Sequence, residues 1–236
     1  MRVQRAVARA GITSRRKAEE LVAAGRVVVN GTPARIGQVV DPDADDIRVD
    51  GQALPRQLPP EWWVLNKPPG VLVTRRDPQG RRTVFDLVPD RPGLTYVGRL
   101  DYLTEGVLLL TPDGDAAHAL THPSREVERT YVALVRGHVE AAARAARRGV
   151  MLEDGEVRAR EALVEPVGGG RWELTLTIAE GRNREVRRLC EALGLEVERL
   201  VRTEYGPVKL GDLQSGEARR LTRRERDGID AVVRIT

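Results

Sequence analysis

Three side chains stand where they could make or support one reactive site: Asp101, Tyr131 and Arg187. Asp101 closes the stretch Thr95-Tyr96-Val97-Gly98-Arg99-Leu100-Asp101. Behind it the apolar run Val107 to Thr111, stopped by Pro112-Asp113-Gly114, predicts a buried strand ending in a turn. Asp101 is therefore expected on a loop between two buried strands, a rigid mount for a carboxylate. By itself one loop aspartate is weak evidence of chemistry, since aspartates also build turns. Burial opposes the charged form of a carboxylate, so a reactive one needs a cation nearby. Arg187 is the candidate: Asn183 is expected to cap a helix running to about Leu193, with Gly194 at its end. Val186, Leu189 and Leu193 form the apolar side of that helix, and Arg187 flanks it, while Arg184 and Arg188 point elsewhere and suit phosphate. An arginine fork holds a carboxylate with two charge-assisted bonds and keeps its proton. Tyr131 lies in a strand with Val132, Leu134 and Arg136, where a core tyrosine is the plain reading and a ring for stacking on a base the functional one. Lys67 begins the turn Lys67-Pro68-Pro69-Gly70, placed either to steer phosphate or simply in solvent.

Composition narrows the setting. The chain has 236 residues, 41% of them hydrophobic and 31% charged, which suits a soluble protein of one large and one small domain. Cys190 is the single cysteine, so no internal disulfide or cysteine metal cluster can form, and a reducing cytoplasm fits. With three histidines, a histidine metal site is not expected either. Arginines interrupt the first eleven residues, so they do not read as a signal peptide, and no apolar run is long enough to span a membrane. The net charge of +4 is unevenly placed: residues 1–40 carry eight basic side chains against two acidic ones. A basic module on a near-neutral body suggests a grip for a polyanion.

Within that module Val3, Val7 and Ala10 follow helical spacing up to Gly11. Thr13 or Ser14 can cap a second helix whose apolar side is Ala18, Leu21 and Val22, and Gly25 stops it. A strand from Arg26, the hairpin pair Asn30-Gly31, a turn at Asp41-Pro42-Asp43 and a strand around Ile47 and Val49 follow. Arg15, Arg16 and Lys17 occupy the first turn of the second helix, where the helix dipole disfavours cations unless an anion is near. Phosphates would supply that anion. The segment "AGITSRRKAEELVAAGRVVVNG" resembles the small RNA-binding domain named after a small-subunit ribosomal protein, across about residues 1–50. That resemblance implies RNA contacts from Arg2, Arg5, Ser14, Arg15, Arg16, Lys17 and Arg26. The acidic run from Asp41 to Asp46 lacks calcium-loop spacing and reads as a solvated turn.

Residues 51–60, with Pro55, Pro59 and Pro60, read as a semi-stiff linker to a larger domain over 61–236. There "GRLDYLTEGVLLLTPDG" resembles the central motif of the pseudouridine synthases of the RsuA/RluB type. "LNKPPGVLVT", "HPSREVERTYVALVRG" and "EGRNREVRRLCEALGLEVERLVRTEYGPVKLGDL" match the same family in order, and the likeness is strongest to the branch acting on large-subunit rRNA. Leu103 and Glu105 depart from it, standing where many relatives carry a polar residue and a serine; altered loop packing, with unaltered chemistry, is expected. The resemblance implies that Asp101 is the catalytic aspartate, that Arg187 pairs with it and that Tyr131 meets the flipped base. It leaves Arg99 to fill the vacated space, to hold phosphate or to serve structure, and Lys67, Arg184 and Arg188 to contact RNA.

Pseudouridine formation breaks the N1–C1′ bond, turns the uracil and rejoins it through C5. The base must be kept, not replaced by water, so one carboxylate suffices where glycoside hydrolysis needs two. Asp101 would either attack C1′ or accept a ribose proton. No redox step occurs, so no cofactor or metal is required. The expected fold is α+β, with a long, mostly antiparallel mixed sheet; "WELTLTIAEG" places Trp172, Leu174, Leu176 and Ile178 on one face of a half-buried strand. The expected partner is rRNA or a ribosomal precursor, met by a cytoplasmic monomer. Three alternatives stay open: the same chemistry on small-subunit rRNA, an RNA-binding factor without activity, and a base-excising hydrolase using Asp101 and Glu105.

Overall fold

The computed structural model describes residues 1–55 and 61–234, so Pro59 and Pro60 of the expected linker lie outside the described residues. The chain divides into two compact units. In the first, α1 (Val3–Arg9) and α2 (Arg15–Ala23) pack with a four-stranded antiparallel sheet, β1 (Val27–Val29), β2 (Thr32–Pro33), β3 (Ile47–Val49) and β4 (Gln52–Ala53), in the order β2-β1-β3-β4. Val3, Ala6, Val7, Ala18, Val22, Val27, Ile47 and Val49 make its core. Ser14 is the cap of α2, its hydroxyl accepting from the Lys17 amide. The Asn30-Gly31 turn has positive φ at both residues, as its hairpin requires. In the acidic run, Asp45 accepts from the Asp41 amide and the Asn30 side chain, which makes it the fastening of a turn.

The second unit holds the large sheet. Its strands are β5 (Trp63–Lys67), β6 (Thr95–Val97), β7 (Glu105–Thr111), β8 (Arg129–Arg136), β11 (Glu161–Gly168), β12 (Arg171–Ile178), β13 (Glu196–Tyr205), β14 (Val208–Lys209) and β15 (Ala218–Arg220), with a separate hairpin of β9 (Val150–Leu152) and β10 (Gly155–Val157). The order runs β11-β12-β8-β13-β7-β5-β15, with β6 beside β7 and β14 beside β13; along that order β13 pairs with β7 in parallel and the other neighbours pair antiparallel. The four helices are α3 (Gly114–Thr121), α4 (Val139–Arg148), α5 (Glu185–Ala192) and α6 (Arg223–Arg234). This is the α+β, mostly antiparallel sheet expected. Val107 and Leu109 of β7 pack with Val64, Val97, Leu120, Tyr205, Val208 and Ile229 in one apolar cluster, so the middle of the sheet is fixed by buried side chains.

Two local features shape the centre. Gly106 has φ of +100°, and a β-carbon there would overlap the Arg202 carbonyl oxygen. Only glycine lets β7 and β13 approach in this register. On β13 the pairing with β8 shifts between Arg202 and Glu204, a β-bulge. Arg202 is opposite Tyr131 and Tyr205 opposite Arg129, although Arg202 and Tyr205 are three residues apart. The bulge puts both on the face that Arg129 and Tyr131 share, which strict alternation would forbid.

Candidate active site

A cavity of about 690 Å³ opens in the second unit. Its floor is the sheet: Arg129 and Tyr131 from β8, Ile178 from β12, and Leu200, Arg202 and Tyr205 from β13. One wall is the loop Gly98–Thr104 between β6 and β7, which carries Asp101; the other is the segment Gly181–Arg184 with the start of α5, and Leu72 and Val73 complete the rim. Asp101, Tyr131 and Arg187 all line this space, as do Arg99 and Arg184.

Asp101 is partly exposed and sits in a tight turn, its carbonyl accepting from the Thr104 amide at 3.1 Å. The loop is pinned from beneath by Lys67. That side chain is 0% exposed, and its ammonium donates to the carbonyls of Pro68 (2.9 Å), Tyr102 (3.2 Å) and Thr104 (2.8 Å). Three acceptors match the three donors of an ammonium. Burial pushes the Lys67 amine down to about 8, against the pull of Glu105 and Asp101. The expectation of an RNA-contacting Lys67 is therefore corrected: with its three donors engaged by the carbonyls of Pro68, Tyr102 and Thr104, it has none left for phosphate. The Pro-Pro-Gly turn forces the chain back beneath that loop, and so buries the lysine that begins it.

Arg187 reaches the same loop but not the expected atom. Its Nη2 donates to the Leu103 carbonyl at 3.4 Å, its Nε is buried without a partner, and no ion pair joins it to Asp101 among the described residues. The helix differs from its expected form in a way that bears on this. Its N-cap is Arg184, held left-handed at φ 47°, not Asn183, and α5 begins at Glu185. Glu185 replaces the cap, taking the Arg182 amide on Oε2 at 3.3 Å. It is a second carboxyl in the cavity wall, one that sequence reasoning missed; burial pushes its pKa up, and its Oε1 has no hydrogen-bond partner.

The other arginines sort by their partners. Arg188 is bound through both terminal nitrogens to Asp154, at 2.9 and 2.8 Å; Asp154, at the turn of the β9–β10 hairpin, also draws Arg182. Arg184 is exposed with a loose pair to Glu191 at 3.6 Å. Arg99 is exposed at the rim and has no ion pair among the described residues. In the first unit Arg26 is held by Asp50 through two bonds of 2.7 and 2.6 Å, and Arg5 is paired with Asp115. The Ser14 hydroxyl is likewise engaged as a cap. Arg2, Arg16 and Lys17 are exposed, as is Arg15, whose nearest acid is Glu19 at 4.0 Å.

Sequence reading also missed Arg202 and Arg129. Arg202 is 2% exposed, donates Nε to the Val107 carbonyl at 2.8 Å and Nη1 to the Tyr131 hydroxyl at 3.5 Å, and lies over the Tyr205 ring at 4.9 Å. Its Nη2 is unpaired. Arg129 donates to the Glu180 carbonyl (2.6 Å) and the Tyr205 hydroxyl (3.2 Å). Two buried cations stacked on tyrosine rings make the cavity floor electropositive. Under regular alternation Arg202 and Tyr205 fall on opposite faces; the bulge was the only signal, and it is invisible in sequence.

Two departures from the family motif find their places here. Leu103 is 60% exposed, so it does not alter loop packing as expected. Glu105 is bound by Arg199 through two bonds of 2.8 Å and is absent from the cavity lining, which removes it as a partner for Asp101 in a hydrolase.

Comparison with known proteins gives the family. The RNA pseudouridylate synthase family matches residues 61–192, and the S4 domain matches residues 1–46. The chain belongs to the RNA pseudouridylate synthase family. It is 44% identical over 231 residues to an uncharacterised RNA pseudouridine synthase of Mycobacterium leprae, covering 95% of this chain and 90% of that one. The ribosomal large subunit pseudouridine synthase B of Bacillus subtilis is 42% identical over 228 residues, covering 95% and 93%. The protein of that name in Haemophilus influenzae is 45% identical over 218 residues, but the chain spans only 61% of its length. A crystal structure of a pseudouridylate synthase superposes with a TM-score of 0.65 at 30% identity, covering 97% of this chain and 99% of that one.

Proposed function

We propose that this protein converts a uridine of large-subunit rRNA to pseudouridine, with Asp101 as its catalytic carboxylate. The observation that carries the reading is that Asp101, Tyr131 and a set of buried arginines face one cavity, on a loop that Lys67 fixes from below. The names of the Bacillus and Haemophilus relatives support the large-subunit choice over small-subunit rRNA.

In this reading the target uridine leaves its stack and enters the cavity. Asp101 acts on the ribose as nucleophile or as base, the N1–C1′ bond breaks, and the uracil carries the electron pair away as an anion. The cationic floor of Arg202 and Arg129 stabilises that anion and keeps it from escaping. The base turns and C5 joins C1′ as Asp101 leaves C1′ or hands its proton back to the ribose; the C5 proton is lost to solvent and N1 takes one up. Tyr131, held by Arg202, stacks on the base. Arg187 supplies the cation beside Asp101 in the complex, exchanging the Leu103 carbonyl for the carboxylate; catalytic hydrogen bonds commonly tighten only when substrate is bound. Arg99 and Arg184 hold phosphate at the rim.

An RNA-binding domain over 1–50 supplies sequence-independent grip through Arg2, Arg15, Arg16 and Lys17, and a catalytic domain over 61–236 reacts. No helix among the described residues is long and apolar enough to cross a membrane, and the proposed substrate places the work in the cytoplasm. The test is incubation with rRNA tritiated at uridine C5: tritium released to water, at a position that then maps as pseudouridine, is expected. Release of free uracil would instead reveal a hydrolase, and no release an RNA-binding factor.

A further inference from the structure

The loop that presents Asp101 also presents two apolar side chains that this chemistry does not use. Tyr102 is 45% exposed and Leu103 60% exposed. Their backbone is held from inside: the Tyr102 carbonyl accepts from Lys67 Nζ and from the Gly70 amide at 2.9 Å, and the Thr104 carbonyl just beyond them accepts from Lys67 Nζ. With the carbonyls on either side of Leu103 turned inward and bonded, the two side chains stand on a rigid base beside the reactive carboxylate. A single exposed apolar residue needs no explanation, but two in succession on a bolted loop at the mouth of a polar cavity do. The surroundings say what meets them. Arg99 beside them and Arg82, bonded through its carbonyl to the Leu72 wall, are exposed cations without an ion pair among the described residues. A cationic rim around two adjacent apolar side chains matches an RNA strand, with its phosphates outside and its bases between.

We propose that Tyr102 and Leu103 form a wedge that enters the base stack beside the target uridine and fills the space it leaves. The proposal rests on the pseudouridine synthase reading. The tyrosine ring supplies a stacking platform for any base, and the leucine an apolar insert between base steps. Together they offset the unstacking that flipping requires, and they oppose return of the base. Their role is positioning: they touch neighbours of the uridine and leave the bond-making step alone.

The experiment uses the full chain. Wild type first maps its uridine on C5-tritiated large-subunit rRNA. Two fragments then carry that uridine, one with it paired in a helix and one with it bulged out. Single-turnover tritium release is measured for wild type, Tyr102→Ala, Leu103→Ala and the double variant. The double variant is expected to be slower by about tenfold or more on the paired fragment and within about twofold of wild type on the bulged one, as removal of one or two stacking partners implies. Near-normal release from the bulged fragment also shows that the variants fold. Equal slowing on both fragments, or no slowing on the paired one, overturns the wedge. If wild type releases no tritium at all, the reading beneath the proposal fails and takes the wedge with it.

Discussion

At the scale of single residues, the proposed chemistry rests on the Asp101 carboxylate and the groups that position it. Lys67 is the most instructive of these. The turn that contains it is plain in the sequence, yet its role was not, because nothing local says that its ammonium folds under a loop 35 residues away. Lys67→Met removes three charge-assisted bonds, each worth roughly 1.5–3 kcal/mol, though relief of the buried charge offsets part of this. Single-turnover tritium release should therefore fall sharply while RNA binding is largely kept, because the loop carrying Asp101 loosens. The pH dependence follows from the depressed amine. The unfolded lysine titrates near 10.5 and the folded one near 8, so between those values the unfolded chain holds the extra proton and stability rises with pH. Thermal melts of wild type and Lys67→Met across pH 8 to 10 should show wild type gaining relative to the variant. A constant gap would mean that the amine is not titrating in the fold. Arg202 was also hidden, but for a different reason: a charged residue inside an apolar strand looks exposed until the partner rings and carbonyls are known.

At the scale of elements, the β7–β13 pairing determines whether a site exists. Gly106 and Arg202 meet there without room for a β-carbon. Gly106→Ala is expected to cost more than about 3 kcal/mol and to lower the melting temperature by several degrees, the range of strain and overpacking combined. A melt within a degree of wild type would show that the strands can part at no cost. The elements themselves were largely legible. Alternation marked β12, and the Asn30-Gly31 and Gly25 signals marked the hairpin and helix end of the first unit. What was not legible lay where tertiary packing overrides local rules. The start of α5 moved to Glu185 because Arg184 adopts a left-handed conformation that a bulky residue rarely takes, and the bulge on β13 broke the count of two. The three arginines around the start of α5 shared one sequence context, yet only the bond to Asp154 separates Arg188 from Arg184 and Arg187.

At the scale of the molecule, the proposal assigns binding to the basic module and reaction to the catalytic unit. The exposed cluster Arg15, Arg16 and Lys17 should contribute counterion release. Changing all three to alanine is expected to weaken rRNA binding and to make the plot of log affinity against log salt shallower by roughly 0.7–0.9 for each phosphate that is no longer neutralised. An unchanged slope would remove the grip from the scheme. The domain character and the family were readable from four motifs in order; the pairing of individual charges was not, since Arg26, Arg5 and Arg188 satisfy acids that sequence distance does not reveal. The claim on which everything else depends is that Asp101 does the chemistry. The most direct measurement is single-turnover tritium release from C5-labelled large-subunit rRNA by wild type and Asp101→Asn, at RNA concentrations where both are shown to be bound. Wild type is expected to release tritium at a mapped uridine, and the variant to bind as well yet release none; release by Asp101→Asn at the wild-type rate would contradict it.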